Sequence, residues 1–441
     1  MSQELEEFIH TYQDVLKSQT YGYTAKAYQY LCGMFQAEKR NIEKMCEKVA
    51  DSEMQSLTHF ISDSPWDWEP VLARIGADTS REFEAREGNI GLLIDESGWK
   101  KSGVESVGVG RQYLGSIGKV DNGQVAVFAS LVQGSSVGMI DTRLYLPECW
   151  TEDAERCDKA GIPSDKMTFQ TKPELALEMV RTARKHGVRY DWVGGDGLYG
   201  HDSPFRYALD DDGEAYLLDI HNDETVYQER PCPYIPDKKS GRGRTPTRYQ
   251  VDEGSLKVRD LVKRLEGSEF KEYCFRDGTK GGKRRQVCVQ AVYTWNGEEA
   301  EPRKEWLVVS RNPDGTEVKY SFCNARLAQA GWCELLYMQM QRFWIEQSLK
   351  EAKSELGMAE YQVRTWRAWH HHITLTMLAH LFLLQQKLRH HQETPLLSCS
   401  DLRFILAQTL PQKVVTKDDV LNTITQRHRR RQYDLDRYAE S

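Results

Sequence analysis

The segment Gln341–Leu356, QRFWIEQSLKEAKSEL, holds the side chains best spaced for chemistry. On a helix advancing about 100° per residue, Arg342, Glu346, Lys350 and Lys353 fall within an arc of roughly 80°. Ile345, Leu349, Ala352 and Leu356 fill the adjoining stripe and are expected to face a core. Glu346 is thereby placed at the rim of buried surface, with cations one turn to either side. Alone, this pattern favours an exposed helix laced with i,i+4 ion pairs, worth about 0.2–0.5 kcal/mol each. Two further acids shift that balance. Asp95 closes the apolar run Ile90–Asp95, and Asp196 follows Tyr190–Val193 through two glycines. A carboxylate at a strand end beside glycine stands where backbone can approach a ligand closely, although singly such acids are usually turn formers. Three carboxylates converging on one point would suit Mg²⁺ or Mn²⁺. Two such ions about 4 Å apart stabilise both the attacking and the leaving oxygen of an in-line displacement at phosphorus. Arg342, Lys353 and, more weakly, Lys350 would then hold phosphates beside the metals.

The elements that must position these acids follow from periodicity. Residues from Glu4 to about Leu72 read as helical, with Ser62-Asp63-Ser64-Pro65 as a stop and restart; Trp66 and Trp68 are expected to anchor packing. Strands are expected at Ile90–Asp95, Gln112–Ile117 and Gln124–Val132, with a turn at Val120-Asp121-Asn122-Gly123. A helix over Lys172–His186 and a fourth strand at Tyr190–Val193 come next. Alternating runs such as Val287–Tyr293 and Glu305–Val309 give a β-rich section, with helix returning at Asn324. Three strands, a helix, a strand and a late helix is the order of a ribonuclease-H-like α/β core, here interrupted by a mainly-β insertion domain. The expected divisions are a helical N-terminal domain for DNA binding or dimerisation (1–88), the first part of the core (89–214), the insertion (215–323), the second part of the core with the Glu346 helix (324–395), and a helical basic C-terminal region (396–441).

Composition fits this picture. The 441 residues carry 39% hydrophobic and 28% charged residues, as in folded globular chains. No stretch approaches the roughly 20 apolar residues that span a bilayer, and the acidic N-terminus does not read as a signal peptide, so a cytoplasmic, nucleoid-associated protein is expected. The ten cysteines form no CxxC pair, which leaves a structural zinc site without support. Net charge is −7, yet basic residues cluster: Lys238, Lys239, Arg242, Arg244 and Arg248; Lys280, Lys283, Arg284 and Arg285; and Arg427–Arg431. Of these, Arg242, Arg244, Arg284 and Arg285 are taken as DNA contacts. Packing is the better reading for His370–His372 and for Trp295 and Trp306.

Several longer motifs carry a resemblance. They are IDESGWKKSG (94–103), GVGRQYLGSIGKVDNGQVAVFASL (108–131), RLYLPECWTED (143–153), TKPELALEM (171–179), GGDGLYG (194–200) and YQVRTWRAWHHH (361–372). Together they resemble bacterial insertion-sequence transposases of the DDE type, of the "seven-oh-one" family allied to the "insertion sequence four" group. In the allied group the third acid lies in a Tyr-x2-Arg-x3-Glu-x6-Lys signature. Arg342, Glu346 and Lys353 match its spacing, whereas Gln339 stands at the Tyr position and Tyr337 lies two residues earlier. The resemblance implies Asp95, Asp196 and Glu346 as catalytic metal ligands, Mg²⁺ or Mn²⁺ as two-ion cofactor, and double-stranded DNA as partner, both transposon ends and target. It also implies a homodimer at synapsis. The expected reaction frees a 3′-OH at each element end and joins it to target DNA. Two other readings stay open at this point: a domesticated DNA-binding regulator without catalysis, and a structure-specific nuclease of the same core.

Overall fold

The computed structural model describes residues 1–237, 245–276 and 281–439. Five helices precede the first strand: Ser2–His10, Thr24–Gln36, Ile42–Cys46, Met54–Ser62 and Trp68–Glu84. The expected restart after Ser62 occurs a few residues later than Pro65, with Asp67 as the cap accepting from the Glu69 amide.

The strands are β1 (Gly91–Lys100), β2 (Gly110–Leu114), β3 (Lys119–Gln133), β4 (Ser136–Leu144), β5 (Trp192–Gly195), β6 (Tyr216–Asp219), β7 (Thr225–Val226), β8 (Leu256–Lys257), β9 (Lys271–Arg276), β10 (Lys283–Thr294), β11 (Arg303–Arg311) and β12 (Lys319–Cys323). Among the described residues ten of them form one mixed sheet, ordered β2-β3-β1-β5-β6-β12-β11-β10-β9, with β4 also paired to β3. β3 runs antiparallel to β1 and to β4, while β5 is parallel to β1 and β6 parallel to β5. The parallel connection from β4 to β5 passes through the helix Lys172–Lys185, which opens on a full capping box at Thr171 and Glu174.

Three sequence expectations change here. The Val120–Gly123 segment is strand, inside β3 and paired with β2, and the reversal falls at Gly115–Gly118. Gly123 is required for close approach rather than for a turn: a Cβ there would lie 2.6 Å from the Trp99 carbonyl. β4 was not anticipated. Finally, residues 215–323 begin with β6, the next strand of the central sheet, and β12 pairs antiparallel with β6 so that β9–β12 prolong the same sheet. The unpaired edge of β6 is satisfied by β12. Among the described residues β7 and β8 stand apart as a two-stranded ribbon.

The long helices Trp332–Leu356 and Trp366–Arg389 lie against this sheet, separated at Gly357, whose φ of 70° closes the first of them. Ile345, Leu349, Ala352 and Leu356 are all buried, as the stripe predicted. The histidine trio packs: His371 stacks on Trp66 with ring centroids 3.8 Å apart, His370 stacks on Trp68, and His372 meets the Tyr30 hydroxyl at 2.9 Å. Burial lowers His370 and His372 to about 3 and His371 to about 4, so all three are neutral at physiological pH.

Candidate active site

Register brings the first two acids together. β1 and β5 pair in parallel through Ile94↔Gly195, after which β5 ends and the chain turns into the short helix Gly197–His201. The next residues on the two strands are Asp95 and Asp196, which therefore stand side by side where the strands part. Asp196 caps that helix through the Leu198 amide at 2.9 Å, and Asp95 accepts from the Glu96 amide at 2.8 Å. Carboxylate oxygens of Asp95, Glu96 and Asp196 all lie within 4.8 Å of one another.

The surrounding glycines are dictated by space. A Cβ at Gly194 would come within 2.5 Å of the Trp192 ring and 2.7 Å of Leu93, and one at Gly200 would fall 1.8 Å from the Asp219 carbonyl oxygen. Gly200 thus lets the Asp196-capped helix lie directly on the end of β6. Gly200→Ala is expected to lower stability by about 3 kcal/mol, as overpacking against backbone does, and to move Asp196 relative to Asp219. Urea unfolding of the purified variant checks this; an unchanged midpoint would mean that β6 yields freely.

Glu346 approaches from the long helix, its side chain half exposed, and contacts the other acids through Arg342. Arg342 Nη2 lies 2.7 Å from Glu346 Oε1, its Nη1 4.0 Å from Asp95 Oδ2, and its Nε 3.1 Å from Asp219 Oδ2. The last contact is a close ion pair rather than an aligned hydrogen bond. Burial alone would pull the Arg342 guanidinium down, but Asp219, Glu346, Asp95 and Asp196 outweigh it and the net shift is upward.

Asp219 was missed from sequence, although it repeats the pattern that drew attention to Asp95: a short apolar run, Tyr216-Leu217-Leu218, ending in an acid at a strand terminus. Glu96 was missed too, because strand alternation predicts that it faces away from Asp95, whereas its carboxylate reaches the same cluster. It is held by Lys172 Nζ at 3.1 Å and by the Tyr199 hydroxyl at 3.2 Å.

Burial, and next the Asp196 charge, push the Asp95 carboxyl up to about 8, with Glu96 and Glu346 adding and Arg342 opposing. An oxygen-only donor set crowded enough to hold a proton at neutral pH is the chemistry that a hard divalent cation resolves. The same crowding has a stability consequence. The Asp95 pKa is raised on folding from 3.8, so below 3.8 it costs nothing; stability is lost as pH climbs towards 8, at about 1.4 kcal/mol per unit. Without divalent ions, Asp95→Asn is therefore expected to melt several degrees above wild type at pH 8 and level with it at pH 4. Equal melting curves at pH 8 would show that Asp95 ionises unhindered.

The structure distributes the remaining sequence candidates unevenly. Lys353 reaches the site's flank, with Nζ donating to the Gly98 carbonyl at 3.2 Å, and burial lowers its pKa. Lys350 is exposed one turn past Glu346. Arg284 is exposed and pairs with Glu272 at 3.2 Å. Arg285 requires a correction: alternation in β10 turns it inward, where its guanidinium bonds Ser310 and Asn312 and pairs with Glu317, so it is not free for a phosphate. Arg242 and Arg244 lie outside the described residues. Gln339 is buried and donates to Ser321 Oγ at 2.7 Å, whereas the Tyr337 hydroxyl accepts from the Gly134 amide at 2.9 Å. Of the tryptophans on β10 and β11, Trp295 just past β10 donates to the Glu299 carbonyl and Trp306 is half-buried. In the C-terminal cluster, Arg427 and Arg430 pair with Glu43 and Glu47.

A cavity of about 530 Å³ opens at β4 between Trp68, Asp141, Arg143, Glu178 and His370, and its lining includes none of Asp95, Asp196 and Glu346. Of the three carboxylates Asp95 is buried, Asp196 part-buried and Glu346 exposed, so the site opens towards solvent on the Glu346 side.

A family model of DDE superfamily endonucleases matches residues 19–282, more than half of the chain. The chain belongs to this superfamily. The match spans Asp95 and Asp196 and stops short of Glu346. The endonuclease is 25% identical over 329 residues to a probable transposase for insertion sequence element IS701 of Microchaete diplosiphon, covering 74% of this chain and 73% of that one. The resemblance read from the motifs is thus borne out. Among solved structures, a piggyBac transposase synaptic complex with hairpin DNA aligns over 95% of this chain and 84% of its own, at 11% identity and a TM-score of 0.36. The NurA nuclease from Sulfolobus solfataricus aligns over 66% and 95%, at 12% identity and a TM-score of 0.22. Among the described residues no helix is long and apolar enough to cross a membrane.

Proposed function

We propose that this endonuclease is a transposase that cuts DNA strands at the ends of an insertion sequence and joins the freed 3′-OH to target DNA. The observation that carries this reading is the pairing of Asp95 with Asp196 just past the Ile94↔Gly195 register, with Glu346 facing them across Arg342. The strand order β4-β3-β1-β5-β6, antiparallel then parallel, supports a ribonuclease-H-like core beneath these acids.

Asp95, Asp196 and Glu346 would hold a pair of Mg²⁺ or Mn²⁺ ions, with Glu96 next to them. When bound, such ions supply Lewis acidity at the phosphoryl oxygen and lower the pKa of the attacking water or hydroxyl. The protein's own part is positional. Asp95 and Asp196 are fixed by strand register and by backbone amides, so the donor set is organised before DNA arrives. Arg342 and Lys353 lie where phosphates flanking the scissile bond would pass, and Lys350 extends that line along the exposed helix face. Binding both element ends at once would require two copies of the chain.

The test is Mg²⁺-dependent nicking of a labelled duplex carrying the terminal repeat found beside the gene. Cleavage is expected with Mg²⁺ or Mn²⁺ and none in EDTA. Binding without cleavage would favour a regulator, and cleavage of branched DNA or RNA–DNA hybrids regardless of end sequence would favour a structure-specific nuclease.

A further inference from the structure

Arg342 is ringed by carboxylates from three elements: Asp95 on β1, Asp219 at the end of β6, and Glu346 one turn along its own helix. Two of these belong to the proposed metal set. Asp219 does not; among the described residues the acids whose oxygens gather within 4.8 Å are Asp95, Glu96 and Asp196, with Glu346 as well as Asp219 outside that group in the ion-free protein. Its surroundings are nevertheless built. Asp219 Oδ1 accepts from the Ser321 hydroxyl at 2.6 Å, and Ser321 Oγ accepts in turn from Gln339 Nε2 at 2.7 Å. Ser321 and Gln339 are both buried. The relay leaves the long helix at Gln339, crosses β12 and β6, and returns to the same helix at Arg342.

We propose that Asp219 is a positioning residue that retains Arg342 when divalent ions draw Glu346 and Asp95 away from it. The inference rests on the metal-site reading above. A divalent ion bound at Glu346 competes with the guanidinium for that carboxylate, because like charges so close repel. In the ion-free protein Arg342 is the cation that Glu346 and Asp95 face. As ions claim those two acids, Asp219 is the carboxylate left to Arg342, and Ser321 has already oriented it with Oδ2 facing Arg342 Nε. Arg342 then stays at the rim of the site, its outer N–H groups released from Glu346 for a DNA phosphate. Without the Asp219 charge, Arg342 falls back on the metal ligands and competes for them. Gln339 gains a role from the same relay: it holds Ser321, which holds Asp219.

Mn²⁺ binding to the full chain without DNA, read by electron paramagnetic resonance, tests this by a double-mutant cycle. Asp219→Asn keeps shape and an acceptor for Ser321 while removing the charge, and is expected to weaken Mn²⁺ binding about tenfold. Arg342→Gln removes the competitor and should bind at least as tightly as wild type. In the Arg342→Gln background, Asp219→Asn should change affinity less than about twofold. An undiminished effect there would make Asp219 a ligand or a direct electrostatic contributor and overturn the proposal. So would an unchanged affinity in Asp219→Asn alone, which would make it a structural brace. Should Arg342→Gln not fold, Arg342→Met replaces it, since methionine keeps an unbranched stem without the charge; the same loss of effect is required. Wild-type protein that binds no Mn²⁺ would sink the metal-site reading itself, whereas the other two outcomes sink only the role of Asp219.

Discussion

Alanine at Asp95, Asp196 or Glu346 is expected to reduce strand cleavage by about 10³-fold or more in each case, with DNA binding retained. If the three hold two ions as proposed, losing one ligand removes several kcal/mol of charge stabilisation in the transition state, and about 1.4 kcal/mol is a factor of ten. The three should not respond alike in stability. Asp95 is buried among other carboxylates, so its removal relieves repulsion. Asp196 caps the Gly197–His201 helix, so its removal costs about 1 kcal/mol. Glu346 is half exposed and its loss leaves Arg342 with Asp219 and Asp95. Gel-resolved nicking of a terminal-repeat duplex, run beside a binding assay, measures both. Near-normal cleavage by any one variant would remove that residue from the site.

The second large effect concerns folding. Glu305 on β11 is almost wholly buried and accepts from Arg206 Nε at 3.1 Å, from the Tyr216 hydroxyl at 2.6 Å and from Thr294 Oγ1. Arg206, equally buried, also donates to the Gly200 carbonyl. Glu305→Ala would strand this guanidinium without its counter-charge and is expected to cost about 3–5 kcal/mol. Changing both partners, Arg206→Met with Glu305→Leu, should cost less, because the uncompensated charge goes with them. Chemical denaturation of the two variants makes the comparison. A loss below about 1 kcal/mol in Glu305→Ala would mean that water reaches the pair.

How much of this was legible depended on whether a residue's role was local. The Glu346 helix was readable because a 25-residue helix repeats its buried stripe often enough to fix a face. Asp196 was readable as a strand end; Asp95 was expected to be one too, but β1 runs on to Lys100 and Asp95 lies at its middle, where only the pairing with β5 stops. That they would meet depends on register between segments about a hundred residues apart, and no local pattern encodes it. β4 escaped because nearly all of it is buried on both faces, which erases alternation. Asp121-Asn122-Gly123 looked like a turn because the same residue types serve turns and close approach. Arg285 looked like its neighbour Arg284 because a run of cations does not say which member a strand will turn inward. Asp219 showed the right local sign and was passed over for want of a partner, since Arg342 lies more than a hundred residues later.

The continuity of the sheet from β1 to β9 also makes it a ruler. Six interstrand steps of about 4.8 Å separate the Asp95 strand from β9, roughly 29 Å before twist is allowed for. Whatever the β9–β10 edge touches is held at a set spacing from the carboxylates, of the order of eight base pairs at about 3.4 Å each. A tethered module would let that spacing drift with linker length. Here it changes only if a strand is added or lost.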